Sequence, residues 1–154
     1  MAVSSRFQGW LLVGAQFVLL AVLALVPAGE AWPLPSWART AGSLLRGVGA
    51  ALIVIGALRL GLAASIFPAP TASATLRTTG PYRLVRHPIY TGVLVFAAAM
   101  TVSARSIIAA LAWITLLTVL HVKARFEEGL LVRRFPEYRS YARATGRFLP
   151  RLSR

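Results

Sequence analysis

Chemistry in this chain has few side chains to draw on. Its 154 residues contain no cysteine, no aspartate, two histidines (His87 and His121) and four carboxylates, Glu30, Glu127, Glu128 and Glu137. Without cysteine there are no disulfides, thiolate metal sites or cysteine nucleophiles, and two histidines far apart in sequence argue against a dedicated protein metal site. Ion-pair and acid–base chemistry therefore concentrates in two short stretches. One is RLVRHPIYTG, residues 83–92, where Arg83, Arg86, His87 and Tyr90 crowd around Pro88 at the start of an apolar run. The other is FEE, residues 126–128, with the only adjacent acidic pair. Each feature alone has a plain explanation. Arginines before an apolar run orient a membrane segment, and a tyrosine can anchor at the interface. A histidine there can cap a helix, and paired glutamates can be a solvated helix face or counterions. Brought together, they would place cations and anions side by side in one site.

What could bring them together is a bundle of membrane helices. The chain is 57% hydrophobic with a mean hydropathy of +0.68, yet its net charge is +13 and its pI about 11.9. A high pI suggests nucleic-acid binding, but nucleic-acid-binding proteins do not carry uncharged runs long enough to cross a bilayer, so no nucleic-acid partner is expected. The length suits one domain, residues 1–154. A crossing needs about 20 apolar residues, with tolerance for shorter ones, and four stretches qualify: 9–26, 44–67, 88–102 and 106–122. The uncharged run from Phe7 to Gly29 is too long for a signal-peptide core and lacks a convincing cleavage site, so it reads as a retained span. The second stretch holds Gly47, Gly49, Gly56 and Gly61, which permit close helix approach and also a homodimer. Pro88 suits the first position of a helix. From Lys123 onward, Phe126, Leu130, Leu131 and Phe135 recur near helical spacing among charges. This tail, 123–154, is expected to prolong the fourth helix, break at Pro136 and lie on the membrane surface as an amphipathic segment. The fold class is therefore all-α, an integral membrane protein with four transmembrane helices plus that segment.

Four spans put both termini on one side, together with the 68–87 connection. Arg6, Arg77, Arg83, Arg86 and every basic residue from Lys123 onward then share that side, against Arg39, Arg46 and Arg105 on the other. The positive-inside tendency assigns the richer side to the cytoplasm. The abundance of alanine, leucine and arginine points to a bacterial inner membrane. This topology makes Arg83, Arg86 and His87, at the base of the third span, neighbours of Glu127 and Glu128, at the base of the fourth. Arg59, inside the second span, is a further suspect because a charge there is costly and tends to face protein or water; snorkelling to the interface is its bland alternative. Arg125 and His121 lie near the glutamates.

The block TTGPYRLVRHPIYTG, followed one helical hairpin later by FEEGLL and then by FPEYRSY and RFLP, resembles the C-terminal half of the isoprenylcysteine carboxyl methyltransferase and phospholipid methyltransferase family, over residues 77–150. Pro136 stands where that family has glycine. The resemblance implies an integral membrane enzyme that uses S-adenosylmethionine, with Arg86, His87, Pro88, Tyr90, Gly92, Glu127 and Glu128 at the cofactor; beside it, position near the bilayer and the glutamates makes Arg59, Arg125 and Glu128 candidates for the chemistry. The cofactor's sulfonium, ammonium and carboxylate suit a site of mixed charge. The stretch GVGAAL, residues 47–52, lacks the third glycine and the preceding strand of a dinucleotide-binding turn. A lipophilic or lipid-modified acceptor, reached from the bilayer, is the expected substrate. Two rivals remain at this level: an NADPH-dependent membrane reductase of the sterol-reductase kind, and a non-enzymatic scaffold whose basic tail grips membrane lipids.

Overall fold

The computed structural model describes residues 3–61 and 75–151. Among them the elements are α1 (Val3–Leu25), α2 (Ser36–Leu60), α3 (Pro81–Leu84), α4 (Pro88–Ala104), α5 (Ile107–Arg134) and α6 (Tyr138–Ala144). No strand occurs among the described residues, only an isolated parallel bridge between Val85 and Gly146. Three helices are long and apolar enough to cross a membrane: α1 from Phe7, α2 and α5. The fourth expected span, α4, is a shorter apolar helix of 17 residues. It begins at Pro88, as the sequence predicts, because the missing proline N–H falls where no intrahelical acceptor exists.

The end of α5 falls where expected, and the structure differs from expectation at the start of α2 and in the path of the tail. Helix α2 starts at Ser36, eight residues before the predicted 44, because the polar stretch after Pro35 holds no further proline and its threonine and serine tolerate helix. Its predicted end beyond residue 61 lies outside the described residues. Helix α5 continues without interruption past the apolar run to Arg134, where Phe135 caps it and Pro136 prevents continuation. The tail does not spread away from the bundle: after α6 it turns back, and Arg86 and His87 donate their backbone N–H groups to the carbonyls of Gly146 and Arg147 at 2.8 and 3.1 Å.

Glycines set the closest packing. Helices α2 and α4 cross where Gly49 and Gly92 face one another; a Cβ on Gly92 would lie 2.6 Å from the Gly49 carbonyl oxygen and 2.9 Å from the Ile53 nitrogen. One turn pair further along, a Cβ on Gly56 would lie 2.8 Å from the Ile89 side chain. Small residues at such crossings let backbones approach and gain dispersion contacts where lipid offers no hydrophobic driving force. Of the four glycines singled out in α2, Gly49 and Gly56 thus serve packing within the chain, Gly61 ends the helix with φ 57°, and Gly47 meets nothing. The core between α1, α4 and α5 consists of Leu23, Leu94, Ala97, Ala109, Ala112, Leu116 and Leu120, and the Trp113 indole crosses it to donate to the Leu94 carbonyl at 3.0 Å.

At one end of the bundle, α4 and α5 are joined through Arg105, held in left-handed backbone at φ 51°. The α1–α2 loop caps this turn: Gly29 and Ala31 donate to the carbonyls of Ala104 and Arg105, Trp32 Nε1 donates to the Val102 carbonyl, and Arg105 Nε returns a bond to the Trp32 carbonyl at 2.7 Å. These bonds satisfy carbonyls that a helix C-terminus otherwise leaves open. The turn fixes α4 and α5 as a hairpin, so the opposite ends of both helices, with His87 and the glutamates, must lie together.

A Gly92→Val protein should lose about 1–3 kcal/mol through overpacking at the α2–α4 crossing, which lowers the thermal midpoint in detergent by roughly 3–10 °C. Gly47→Ala, with open space around it, should leave the midpoint unchanged or raise it.

Candidate functional site

The site is assembled from three pieces of chain: the base of α4, the far half of α5 and the returning tail. Glu128 is its centre. Arg86 Nε donates to Glu128 Oε1 at 3.0 Å, and Nε2 of His87 lies 3.1 Å from the same oxygen. Arg147 forks over both oxygens, with Nε 3.0 Å from Oε1 and an outer nitrogen 2.7 Å from Oε2. One carboxylate, only 13% exposed, therefore gathers two guanidiniums and an imidazole. Charge-assisted bonds of this kind, two of them bidentate, are the strong class. Glu127 accepts a hydrogen bond from the Tyr90 hydroxyl, and its second oxygen lies 3.5 Å from Nδ1 of His87. The imidazole is thus held with each ring nitrogen toward a different glutamate, and it stacks on the Tyr90 ring at 5.4 Å.

The tail closes this arrangement. Phe148 packs edge-on against His87, Tyr90 and His121. Thr91 Oγ1 donates to the Phe148 carbonyl at 2.9 Å, while the Arg86 guanidinium donates to the carbonyls of Ala142 and Thr145. Gly146 is required here, since a Cβ on it would fall within the contact distance of the Leu149 carbonyl. Below the clip, the Tyr141 hydroxyl donates to the Tyr82 carbonyl, and the Tyr82 hydroxyl to the Gly56 carbonyl at 3.3 Å. Burial pushes both phenols up to about 12, so they stay protonated and keep donating at any physiological pH. Hydrogen bonds to Glu128 raise the Arg147 guanidinium further above its already high value. Tyr138 is 2% exposed, and its hydroxyl has no hydrogen-bond partner among the described residues although it lies near Arg86.

The structure brings together Arg86, His87, Tyr90, Glu127 and Glu128, as expected from the hairpin. Other predicted residues stand elsewhere. Pro88 is fully buried at the start of α4, against the Gly56 position. Gly92 lies in the α2–α4 crossing, where its missing side chain serves packing. Arg59 is exposed near the end of α2, its guanidinium resting beside Gly80. Arg125 is exposed on α5 and forms no ion pair with either glutamate. Arg83, expected beside the glutamates, is exposed on α3, because one short helical turn aims it away from Arg86. Sequence reasoning missed Arg147, Phe148 and Lys123. The RFLP tail motif held the first two, but nothing local announces that the chain doubles back. The sequence places Lys123 at the start of a tail that lies on the membrane surface; it is instead 3% exposed inside the bundle.

The profile of the phospholipid methyltransferase family matches residues 37–138, so the chain belongs to the phospholipid methyltransferase family. The match takes in α2, earlier than the block that carried the resemblance, and stops before the RFLP tail. Among curated proteins, the chain is 34% identical over 113 residues to the nickel-cobalt-cadmium resistance protein NccN of Alcaligenes xylosoxydans xylosoxydans, covering 69% of this chain and 53% of that protein. It is also 34% identical over 112 residues to the cobalt-zinc-cadmium resistance protein CzcN of Cupriavidus metallidurans, covering 66% of this chain and 50% of that protein. The chain spans about half the length of these curated relatives.

Arg147→Ala removes charged hydrogen bonds of the class worth about 1.5–3 kcal/mol. Discounted for the 25% exposure of the arginine side chain, about 1 kcal/mol remains. Tryptic cleavage after Arg143 should then run roughly fivefold faster than in the unmodified chain, whereas Arg133→Ala should leave that rate unchanged.

Proposed function

We propose that this chain is a membrane methyltransferase that moves a methyl group from S-adenosylmethionine to a lipophilic acceptor at the cytoplasmic membrane face. The observation that supports it most is the carboxylate pair Glu127–Glu128, clasped by Arg86, His87 and Tyr90 at the common end of α4 and α5. Family membership supports methyl transfer as the reaction class. The reading adds the cosubstrate, the face and the acceptor class.

The residues present fit the cosubstrate's chemistry. Glu127 and Glu128 offer carboxylate oxygens to its ammonium and ribose hydroxyls, Arg86 offers a cation to its carboxylate, and Tyr90 and Phe148 offer aromatic surface to its adenine. The buried Tyr138 hydroxyl, without a partner among the described residues, is a donor still available. When bound, S-adenosylmethionine supplies an electrophilic methyl carbon on a sulfonium. The chain's own residues then bind, orient and exclude water. Phe148 and the Gly146 clip shield the cluster on one side, and α4 and α5 on the others. Positioning of this kind carries most of the acceleration in a displacement at carbon, and shielding from water favours it where charge is neutralised. No residue is assigned as a general base, because an ionised acceptor needs none. The metal-resistance names of the two relatives state a resistance of those proteins and no reaction, so they do not enter the assignment.

S-adenosylhomocysteine should bind the chain in nanodiscs. His87→Ala, Glu127→Gln and Glu128→Gln should each weaken that binding by at least about tenfold, since each removes a charge-assisted contact worth roughly twice a neutral one. Arg39→Ala, exposed at the opposite end of the bundle, should change it by less than about twofold. Equal losses in all four, or binding of NADPH in preference to S-adenosylhomocysteine, would overturn the assignment.

A further inference from the structure

The returning tail lies over the glutamate cluster as a strap, and one exposed histidine holds it in a way that a proton would undo. Arg147 covers both oxygens of Glu128, and the Phe148 ring stands edge-on against His87 and Tyr90. The strap's backbone hangs on the start of α4, where Arg86 and His87 donate to the Gly146 and Arg147 carbonyls and Thr91 Oγ1 donates to the Phe148 carbonyl. Its hold on α5 passes through side chains. Besides Glu128, the Arg147 guanidinium meets His121, with Nη1 3.1 Å from the imidazole Nε2, and Phe148 packs edge-on against the same imidazole, the centroids 6.2 Å apart. A guanidinium has five N–H donors, no acceptor and a charge that is never lost. Nε2 of His121 can therefore only accept, which makes it the bare nitrogen of a neutral ring. The imidazole is exposed, so solvent protons reach it, and histidine is the side chain that ordinarily changes charge between about pH 5 and pH 8.

The surroundings of His121 do not compensate a second positive charge. The four glutamates of the chain all fall among the described residues, and none of them forms an ion pair with His121. Facing it from the tail is Arg147. Along α5, Lys123 turns toward Gln16 on α1, Arg125 is exposed one turn on, Glu127 is engaged by Tyr90 and His87, and Glu128 is taken by Arg86, His87 and Arg147. Helix α4 holds no charged residue, and α1, packed along α5, holds one, Arg6, in its first turn. A proton on Nε2 thus removes an acceptor and sets an imidazolium against a guanidinium, a like-charge contact. We infer that His121 is a proton-sensitive latch on the tail strap: neutral, it holds Arg147 down on Glu128; protonated, it shifts the strap toward an open state that uncovers the glutamate cluster. The sign follows from linkage. The closed strap binds no proton at Nε2 and the open strap allows one, so closure is favoured above the range in which histidine titrates and weakens as pH falls through it. Glu128 still attracts Arg147 after protonation, so the latch shifts a balance rather than freeing the strap outright. Under the methyltransferase reading, what the strap uncovers is the cosubstrate's site; the latch itself stands on the geometry of the tail, whatever the cluster binds.

The chain has no cysteine, so a nitroxide can be placed at one position of the strap. Leu149 is 76% exposed, and Leu149→Cys carries the label in the full chain in phosphatidylcholine nanodiscs, where the spectrum separates mobile from immobile strap. Between about pH 8 and about pH 5.5, which brackets the histidine range, the ratio of mobile to immobile label should rise by about fivefold, the order of one like-charge contact in a water-exposed setting. Adding His121→Gln, whose amide oxygen accepts from Arg147 and does not titrate, should keep the mobile population low at both ends of that range. Adding His121→Lys, which fixes a cation there, should keep it high at both. His87 remains in every variant, so any response of its own is common to all. A mobile population indifferent to pH with His121 in place, a pH response that survives His121→Gln, or a strap as immobile with His121→Lys as with His121→Gln would each overturn the latch. Should His121→Lys fail to fold, the contrast between His121 and His121→Gln carries the test alone. Failure of the chain to bind S-adenosylhomocysteine, by contrast, overturns the methyltransferase reading and leaves the latch standing.

Discussion

One carboxylate organises this molecule. Glu128 accepts hydrogen bonds from the guanidiniums of Arg86 and Arg147 and faces the His87 imidazole, and in doing so ties α5 to the start of α4 and to a tail that would otherwise leave the bundle. A carboxylate so enclosed is costly unless its lone pairs are filled. The three partners crowd onto Oε1 and place one donor on Oε2, and each partner is in turn anchored: Arg86 by the carbonyls of Ala142 and Thr145, Arg147 by His121, and His87 by Glu127 and the Tyr90 ring. The arrangement is a network, so its members cannot be valued one at a time.

The bundle exists to hold that network in register. Helices α2 and α4 approach as closely as their backbones allow because Gly49, Gly56 and Gly92 carry no side chains at the crossing. This fixes Pro88, and with it the direction in which His87 leaves the helix. The hairpin turn at Arg105, closed by the loop before α2, fixes the register of α5 against α4. Substitutions far from the glutamates, at Gly92 or at Gly29, therefore reach the site through helix position rather than through contact.

Much of this was legible in the sequence, for identifiable reasons. The α4–α5 hairpin follows from two apolar runs separated by a short polar turn, and once it is granted, RHPIY and FEE must meet. The end of α5 was announced by Pro136. Other features were hidden because their cause is tertiary. The start of α2 at Ser36 depends on no breaker acting after Pro35, which propensity alone does not decide. Arg83 and Arg86 look equivalent in sequence, and only the turn of α3 separates them. Gly49 was legible as a packing glycine, but Gly92, inside the motif, is its partner in the same crossing, which no spacing rule reveals. Lys123 reads as the first charge of a tail on the membrane surface, since a boundary between apolar and charged residues usually marks an interface; α1 runs alongside and buries it. Arg147 and Phe148 reach the site by a backbone clip whose acceptors lie in residues 146 and 147, far from the N–H groups of Arg86 and His87 that they satisfy.

The methyl-transfer account stands on one cluster, in which α4, α5 and the returning tail gather cations and aromatic rings around two carboxylates. A structure determined in lipid nanodiscs with S-adenosylhomocysteine added tests it most directly. The account predicts density for the ligand against His87, Tyr90, Glu127 and Glu128, beneath the Gly146–Phe148 clip. Ligand density at the opposite end of the bundle, near Arg46 and Ser103, or a saturated sample in which the glutamate cluster carries no ligand, would contradict it.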